Sequence, residues 1–214
     1  GINRRFFRAP REQKAIDQYS WSHPFRLLYV SKIEPYKHQW RVVEAIARVR
    51  KAGFPIALDL VGGPECPASA QRLAEAIRKA DPEGGRFINL LGNVSHHALP
   101  DCYHRADAFV FASSCENLPN ILLEAMASGL PIACSNRGPM PEALGEAGVY
   151  FDPERPSEIA AAIQSLVEDT ILRRYFAESA YARAQQYSWE RCANETFSYL
   201  AAMASPPPWR KAAW

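Results

Sequence analysis

The segment Cys115-Glu-Asn-Leu-Pro-Asn-Ile-Leu-Leu-Glu-Ala-Met-Ala-Ser-Gly-Leu-Pro131 carries the pattern from which the rest of the chain can be interpreted. An apolar run over 107–112 precedes it and predicts a buried strand. A helix is predicted over 118–128, and Gly129 and Pro131 end it before the next strand. A strand, an acidic turn, a helix and a second strand in this order place polar groups where α/β proteins bind ligands.

Strand and helix patterns alternate outward from that segment in both directions. Short apolar runs are typical of strands buried on both faces of a sheet; they predict strands at 26–31, 56–61, 86–91, 107–112, 131–134 and 148–151. Helical spacing of apolar residues predicts helices at 37–52, 68–80, 95–103, 118–128, 156–168, 170–186 and 189–203. Ser95 is the expected cap of the third of these helices.

Strands that alternate with helices predict right-handed βαβ crossovers and a parallel sheet. The expected fold is α/β: a Rossmann-like domain with about six strands, helices on both faces and a helical C-terminus. We expect this domain over 25–204, after a linker or boundary segment with an edge segment over 1–24 and before a Pro-rich tail over 205–214. Because the chain begins without Met, we interpret it as a piece of a longer protein.

The composition excludes several classes of protein. The chain has 214 residues, of which 48% are hydrophobic and 22% charged, and a formal net charge of +2. These values are ordinary for a globular domain and do not predict general binding to nucleic acid or to membranes. The sequence contains no apolar run of membrane-spanning length and does not begin as a signal peptide. The five cysteines are odd in number and lack C-x-x-C spacing, which indicates reduced, cytosolic thiols and no zinc site.

Small and polar residues follow five of the predicted strands, and ligands of such sheets lie at these ends. The strand ends are Ser31-Lys32, Gly62-Gly63, Gly92-Asn93, Ala112-Ser113 and Cys134-Ser135. Lys32 and Lys37 flank the first turn, where two ammonium groups would suit a diphosphate. The alternative is a pair of solvated lysines. Gly62 and Gly63 let backbone N–H groups approach a ligand closely, although a tight turn would need the same glycines.

Two carboxylates, Glu116 and Glu124, flank the start of the helix in the opening segment. Asn117 is the expected N-cap, with Pro119 in the first turn. A core stripe is expected at Leu118, Leu122, Ala125 and Met126, which leaves Asn120, Glu124 and Ser128 on another face. Glu124 then needs a hydrogen-bonding partner, such as the vicinal hydroxyls of a ribose. The alternative makes Glu124 a solvated helix residue and Glu116 a loop charge.

The remaining polar residues do not form another catalytic or metal-binding pattern. The five histidines lack the H-x-x-x-H and H-E-x-x-H spacings, and His96-His97 is expected at the surface near a helix start. No serine lies in a G-x-S-x-G context, and no cysteine has an obvious histidine partner. The sequence therefore offers neither a nucleophile nor a metal site.

Several segments together resemble a known family. Tyr103-His-Arg-Ala-Asp107-Ala-Phe-Val-Phe-Ala-Ser-Ser-Cys-Glu116-Asn-Leu-Pro119, followed by Glu124-Ala-Met-Ala-Ser-Gly129-Leu-Pro131, is similar to the signature of retaining, nucleotide-sugar-dependent glycosyltransferases of family 4. These enzymes have the GT-B fold, and the resemblance covers nearly the whole chain. Supporting matches are 29–37, 60–63, 91–92 and 138–142. In the first of these, Lys37 agrees with the family, whereas Ser31, Lys32 and His38 replace Gly, Arg and Gly.

The resemblance implies a role for each matching residue. Lys32 and Lys37 would hold the diphosphate and stabilise the leaving group, Glu116 would lie at the donor sugar, and these three are the expected catalytic residues. Glu124 would bind the ribose hydroxyls, while Glu142 would be structural. The expected substrate-binding residues are Gly62, Gly63, Gly92, Asn93, Asn117, Leu118, Pro119, Asn120 and Glu124. Neither a metal nor a cofactor is implied, and the Arg-to-Lys change at 32 removes a bidentate fork.

The implied function is the donor-binding, C-terminal half of a GT-B enzyme that transfers a hexosyl group from an NDP-sugar to a glycan or lipid-linked acceptor. Its partner would be an N-terminal acceptor domain absent from this chain, without which turnover is not expected. The family context implies a bacterial, cytoplasmic protein, free or at the inner face of the membrane, in polysaccharide synthesis. The alternatives are a non-catalytic binding module, a GT-B epimerase and, less well supported because no lysine suits pyridoxal phosphate, a phosphorylase.

Overall fold

Six parallel strands form one sheet in the order β3-β2-β1-β4-β5-β6. They are observed in a computed structural model that describes residues 1–204, so the predicted tail over 205–214 lies outside the described residues. The strands are β1 (Phe25–Val30), β2 (Ile56–Val61), β3 (Ile88–Gly92), β4 (Ala108–Phe111), β5 (Ile132–Ser135) and β6 (Val149–Phe151). The prediction of a parallel sheet of about six strands is confirmed.

Eight α-helices connect or follow these strands in the described part of the chain. They are α1 (Gln39–Lys51), α2 (Pro67–Ala80), α3 (Leu99–Arg105), α4 (Asn120–Ala127), α5 (Met140–Leu144), α6 (Pro156–Glu168), α7 (Thr170–Ala184) and α8 (Trp189–Ala204). The short helix α5 was not predicted, because five residues are too few to show a helical period. The predicted cap at Ser95 was wrong: its hydroxyl accepts from the N–H of Ala98 at 3.3 Å in a turn before α3.

The strand order reverses direction between β3 and β4, and this reversal creates the crevice in which a ligand can bind. The chain steps from β1 to β2 to β3, then returns to pair β4 with the other side of β1. Right-handed crossovers therefore put α1 and α2 on one face and α3 and α4 on the other. Consistent with this, α1 packs against α2 and α6, while α4 packs against α7. Ligands of such sheets bind where the two directions part, at the carboxyl ends of β1 and β4.

Apolar side chains on both sheet faces form the core that holds these strand ends in place. The α1 residues Val42, Val43, Ile46 and Val49 are all buried, and so is every residue of β4. Burying each such side chain contributes about 1.5–3 kcal/mol relative to its exposure to water. The crevice residues are thus carried by a rigid frame.

The first 24 residues add no strand to the described sheet but are fixed against it. A short 3-10 turn, Arg4–Phe6, buries Phe6 in the core. The fully buried Arg173 of α7 donates to the Lys14 carbonyl and to the Gln13 side chain. In contrast, α8 has no buried residue, so its apolar side chains are exposed. Among residues 1–204, no helix is both long and apolar enough to cross a membrane.

Candidate functional site

Two loops meet at the topological switch point, one after β1 and one after β4. The loop after β1 runs over 31–38 and includes a 3-10 turn, Pro35–Lys37. The loop after β4 runs over 112–119. They are joined by a backbone hydrogen bond, in which the Ser114 N–H donates to the Tyr36 carbonyl at 2.8 Å. Because of this contact, side chains from both loops face one crevice.

Lys37 is held deep in this crevice. Its side chain is 7% exposed and its ammonium donates directly to the Glu116 carboxylate, which is 16% exposed. The ammonium also lies 5.1 Å from the Tyr36 ring centroid and 5.4 Å from that of Phe111. The Tyr29 hydroxyl donates to the Lys37 carbonyl. A carboxylate and two aromatic rings thus hold the ammonium in one place at the crevice.

Lys32 occupies a different environment from Lys37. Its side chain is 69% exposed and forms an ion pair with Glu65, in the loop after β2, at 2.9 Å. The hydrogen bond to Glu65 and its charge raise the pKa of Lys32. The structure therefore places the two predicted cations at the same end of the sheet but with different carboxylate partners.

Among the glycines predicted at the strand ends, Gly62 is required by a close backbone contact. Gly62 has a φ of +129°, and a Cβ atom there would lie 2.0 Å from the Ser31 carbonyl oxygen. A Cβ on Gly63 would lie 2.7 Å from the Asn93 side chain. The Gly62 N–H donates to the Gly92 carbonyl at 2.8 Å. The backbone at Gly62 therefore packs against the end of β1 and is hydrogen-bonded to the end of β3, and the Asn93 side chain lies beside Gly63.

Helix α4 begins later than predicted, and its start differs from the expectation. The predicted cap at Asn117 was wrong: the helix begins at Asn120 and the capping position is Pro119, without a side-chain hydrogen bond. Leu118, expected in the core, is 52% exposed, because the chain is still in a bend there. Asn117, Leu118 and Asn120 therefore all face solvent at the mouth of the crevice.

Glu124 is partly buried among apolar residues of α4, and part of its hydrogen bonding comes from the protein. Its side chain is 15% exposed, and Oε2 accepts from the Tyr103 hydroxyl at 3.0 Å. Oε1 lies 4.0 Å from His96 Nε2. Burial raises the pKa of Glu124, while the Tyr103 hydrogen bond and His96 oppose this rise. Oε2 thus has a partner within the protein, and Glu124 also lines a cavity of about 420 Å³ together with Asn120.

Three contributors to this site were not predicted from the sequence: Tyr103, Ser114 and His38. Tyr103 lies inside the family signature, and the need of Glu124 for a donor was the signal that could have identified it. Ser114 and His38 are joined by a hydrogen bond of 2.9 Å between residues 76 positions apart. A contact of that sequence separation leaves no trace in local spacing.

Comparison with known proteins identifies the class. Residues 12–183 match the family Glycosyl transferases group 1, so the chain belongs to this family. The O-antigen chain mannosyltransferase B of Escherichia coli is 30% identical over 195 residues, which are 89% of this chain and 50% of that protein. A glycogen synthase of Mycobacterium tuberculosis is 31% identical over 183 residues, 84% of this chain and 43% of that protein. The chain spans about half the length, or less, of these curated relatives.

Solved structures agree on the fold. HepE from Anabaena, in complex with UDP-glucose, superposes with a TM-score of 0.75 at 20% identity, covering 92% of this chain and 57% of that one. The C-terminal domain of LpcC, a glycosyl transferase group 1 family protein from Francisella tularensis, gives 0.68 at 21% identity, covering 87% of this chain and 97% of that domain. This chain therefore has the Rossmann-like fold of a GT-B C-terminal domain.

Proposed function

We propose that this domain binds the nucleotide-sugar donor of a retaining hexosyltransferase at the crevice between β1 and β4. One observation carries the proposal: Lys37 meets Glu116 at the switch point although 79 positions separate them, and Glu124 follows on α4, with all three side chains partly desolvated. Partial desolvation strengthens their electrostatic interaction with a charged ligand. Membership of the family supplies the class of reaction.

In this proposal the donor diphosphate takes the place of Glu116 at the Lys37 ammonium. The exposed Lys32 side chain leaves Glu65 and brings a second cation to the diphosphate. Together they neutralise charge that develops on the departing diphosphate, which is electrostatic stabilisation of the transition state. Because two cations would perform this task, we propose that the reaction needs no metal. Glu116, once released, accepts from hydroxyl groups of the donor sugar.

Glu124 is proposed to recognise the ribose. Tyr103 already donates to its Oε2, so Oε1 and the remaining lone pairs are available to ribose hydroxyls. The exposed residues at the mouth, Asn93 and Asn120, would contact the base or ribose, with Gly62, Gly63 and Gly92 forming the floor. This assignment is supported by the burial of Glu124, since a carboxylate in such surroundings gains most from donors that a ligand brings.

The relatives support a hexose donor. One is named a mannosyltransferase and another a glycogen synthase, and the HepE structure holds UDP-glucose. By extension, we propose that the full protein transfers a hexose to a glycan or lipid-linked acceptor bound by an N-terminal half, in bacterial polysaccharide or glycoconjugate synthesis. The present chain would then bind the donor without turning it over.

Calorimetric titration of the 214-residue chain with UDP-, GDP- and ADP-linked glucose and mannose tests the proposal. We expect one of them to bind, and Lys37→Ala and Glu124→Ala each to weaken binding at least about tenfold, as expected for loss of a charge-assisted contact. Lys51→Ala and Glu178→Ala, at exposed positions on α1 and α7, are the matched controls. Absence of binding by every nucleotide sugar would overturn the proposal.

A second candidate is a nucleotide-sugar-binding module without transferase activity. It is favoured by the position of Lys32, where the resemblance expects arginine and where the side chain is exposed and paired with Glu65. Donor binding by this chain combined with a full-length protein that transfers no hexose would support this candidate. Restoring arginine with Lys32→Arg and recovering transfer would identify residue 32 as the cause.

A further inference from the structure

His38 has a backbone conformation that its residue type disfavours. It lies between the 3-10 turn Pro35–Lys37 and α1, with φ 51° and ψ 29°. Of the non-glycine residues among 1–204, His38 alone has a positive φ. The residue is also 9% exposed. In the family signature described above, the matching position is glycine. Disfavoured conformations of this kind persist where surrounding contacts hold them, and they cluster at functional sites.

The contacts that hold His38 lead to the donor crevice. Its Nε2 lies 2.9 Å from the Ser114 hydroxyl, and that hydroxyl also lies 3.3 Å from the Tyr36 carbonyl oxygen. The Ser114 N–H donates to the same carbonyl, and Lys37 pairs with Glu116. Three consecutive residues after β1 are thereby tied to the loop after β4. Lys37 is the middle one, so its direction depends on both neighbours.

We propose that His38 is a positioning residue: its imidazole ties the turn that carries Lys37 to the loop that carries Glu116, and thereby sets the affinity for the donor. The inference rests on the proposed function of this crevice. It assigns a role to a residue that departs from the family pattern, and a glycine at this position could not supply the tie.

The surroundings of His38 favour a neutral imidazole. Its ring packs against Trp40, with centroids 5.8 Å apart. Burial is the largest cause that lowers the pKa of His38; Arg41 and Arg72 add to it, while Glu154 and Asp152 act against it. The charged and titratable groups that line the adjoining cavity of about 830 Å³ come from α1, α2 and the loops after β2, β5 and β6: Arg41, Cys66, Arg72, Arg137, Asp152, Glu154 and Arg155.

The proton count follows from the hydrogen bonds. When the Ser114 hydroxyl donates to the Tyr36 carbonyl, it accepts from a neutral His38 that carries its proton on Nε2. A second proton, on Nδ1, would create a cation in a largely buried position near Arg41 and Arg72. The Nε2–H would still donate to Ser114 in that cation, so the tie itself does not depend on the second proton. Since the folded-state pKa is lowered, the neutral ring contributes stability that is fully present above the ordinary histidine value of about 6.5 and is lost as the pH falls through the lower folded-state pKa.

The first measurement is donor affinity at pH 7.5, using whichever nucleotide sugar binds most tightly. We expect His38→Gly to weaken binding about fivefold or more, on the scale of one lost hydrogen bond. His38→Asn keeps a hydrogen-bonding side chain that tolerates this backbone, so it should recover part of the affinity.

The second measurement does not require a donor. Acetylation of Lys37 by acetic anhydride, followed by mass spectrometry, should be slow in the wild type and at least about threefold faster in His38→Gly, because a released ammonium becomes accessible. His23→Gly, at an exposed histidine, is the control. Faster Lys37 acetylation without any donor binding by the wild type would count against the proposed function while supporting the positioning role. Unchanged acetylation of Lys37, or a donor affinity of His38→Gly equal to that of the wild type, would overturn the role of His38.

Discussion

Lys37 and Glu116 form a direct ion pair that joins the loops after β1 and β4, across 79 positions of sequence. Both side chains are largely buried, so each charge is neutralised mainly by the other. A donor diphosphate would have to replace Glu116 at the ammonium, and Glu116 would become free for sugar hydroxyls. The pair is thus the resting arrangement of the proposed site, and its disruption is linked to donor binding.

Breaking this pair from one side should cost stability. Lys37→Met leaves a desolvated carboxylate at Glu116 without its partner, and we expect the free energy of unfolding to fall by about 2–4 kcal/mol. The double variant Lys37→Met/Glu116→Gln should be more stable than Lys37→Met alone, because no buried charge remains unpaired. Urea denaturation at neutral pH measures both, with the exposed Lys51→Met as control. A Lys37→Met variant as stable as the wild type would contradict the buried pair.

Glu124 should be a residue at which stability and binding oppose each other. Since burial raises the pKa of Glu124, the ionised carboxylate costs stability at neutral pH, and this cost disappears as the pH falls through the folded-state pKa. Glu124→Gln removes the charge but can still accept from Tyr103. We expect it to raise the unfolding free energy at pH 7 by up to about 1 kcal/mol, with a smaller gain at pH 5, and to weaken donor binding.

The control for that experiment is Glu178→Gln, at an exposed position on α7. It should change neither the stability nor the donor affinity. A Glu124→Gln variant that is less stable than the wild type at pH 7, or that binds the donor with unchanged affinity, would show that the Glu124 carboxylate is not a desolvated ligand-binding group.

Arg173 should be far more important to stability than its neighbour. Its guanidinium is fully buried and donates to the carbonyls of Val167, at 2.7 Å, and Lys14. Arg173→Met would leave these acceptors unsatisfied and should lower the unfolding free energy by about 3 kcal/mol or more. Arg174→Met, at an exposed position one residue on, should change it by less than about 0.5 kcal/mol. Thermal or urea unfolding of the two variants compares them; similar effects would contradict the assigned role.

The reactivity of the Cys66 thiol should depend on its hydrogen bond with Ser69. Its pKa is lowered first by the Ser69 hydroxyl and then by N–H groups at the start of α2, whereas burial raises the pKa of Cys134. Alkylation by iodoacetamide, resolved by mass spectrometry, should therefore show a lower pH midpoint for Cys66 in the wild type than in Ser69→Ala. Cys134 should remain unmodified while the protein is folded. An unchanged midpoint in Ser69→Ala would contradict the hydrogen bond.

The sequence was sufficient for the frame of the molecule, because buried strands and amphipathic helices have periods that the chain itself displays. Composition and spacing left Lys37, Glu116 and Glu124 with a solvated alternative, and only the resemblance to a family signature assigned them roles, which stay predictions. The sequence was insufficient at the start of α4, where Leu118 has the composition of a core residue but lies in an exposed bend. It could not show that Lys32 turns to Glu65, because that partner is chosen by the fold after β2.

The closure of the crevice floor at Gly62 has a consequence for protein engineering. A side chain there would collide with the Ser31 carbonyl oxygen, so this position tolerates no diversification. Asn93, Asn117, Leu118 and Asn120, in contrast, border the crevice and are exposed, so their replacement carries little risk to folding. A library meant to alter which sugar nucleotide is accepted should randomise these four rim positions and leave the floor unchanged.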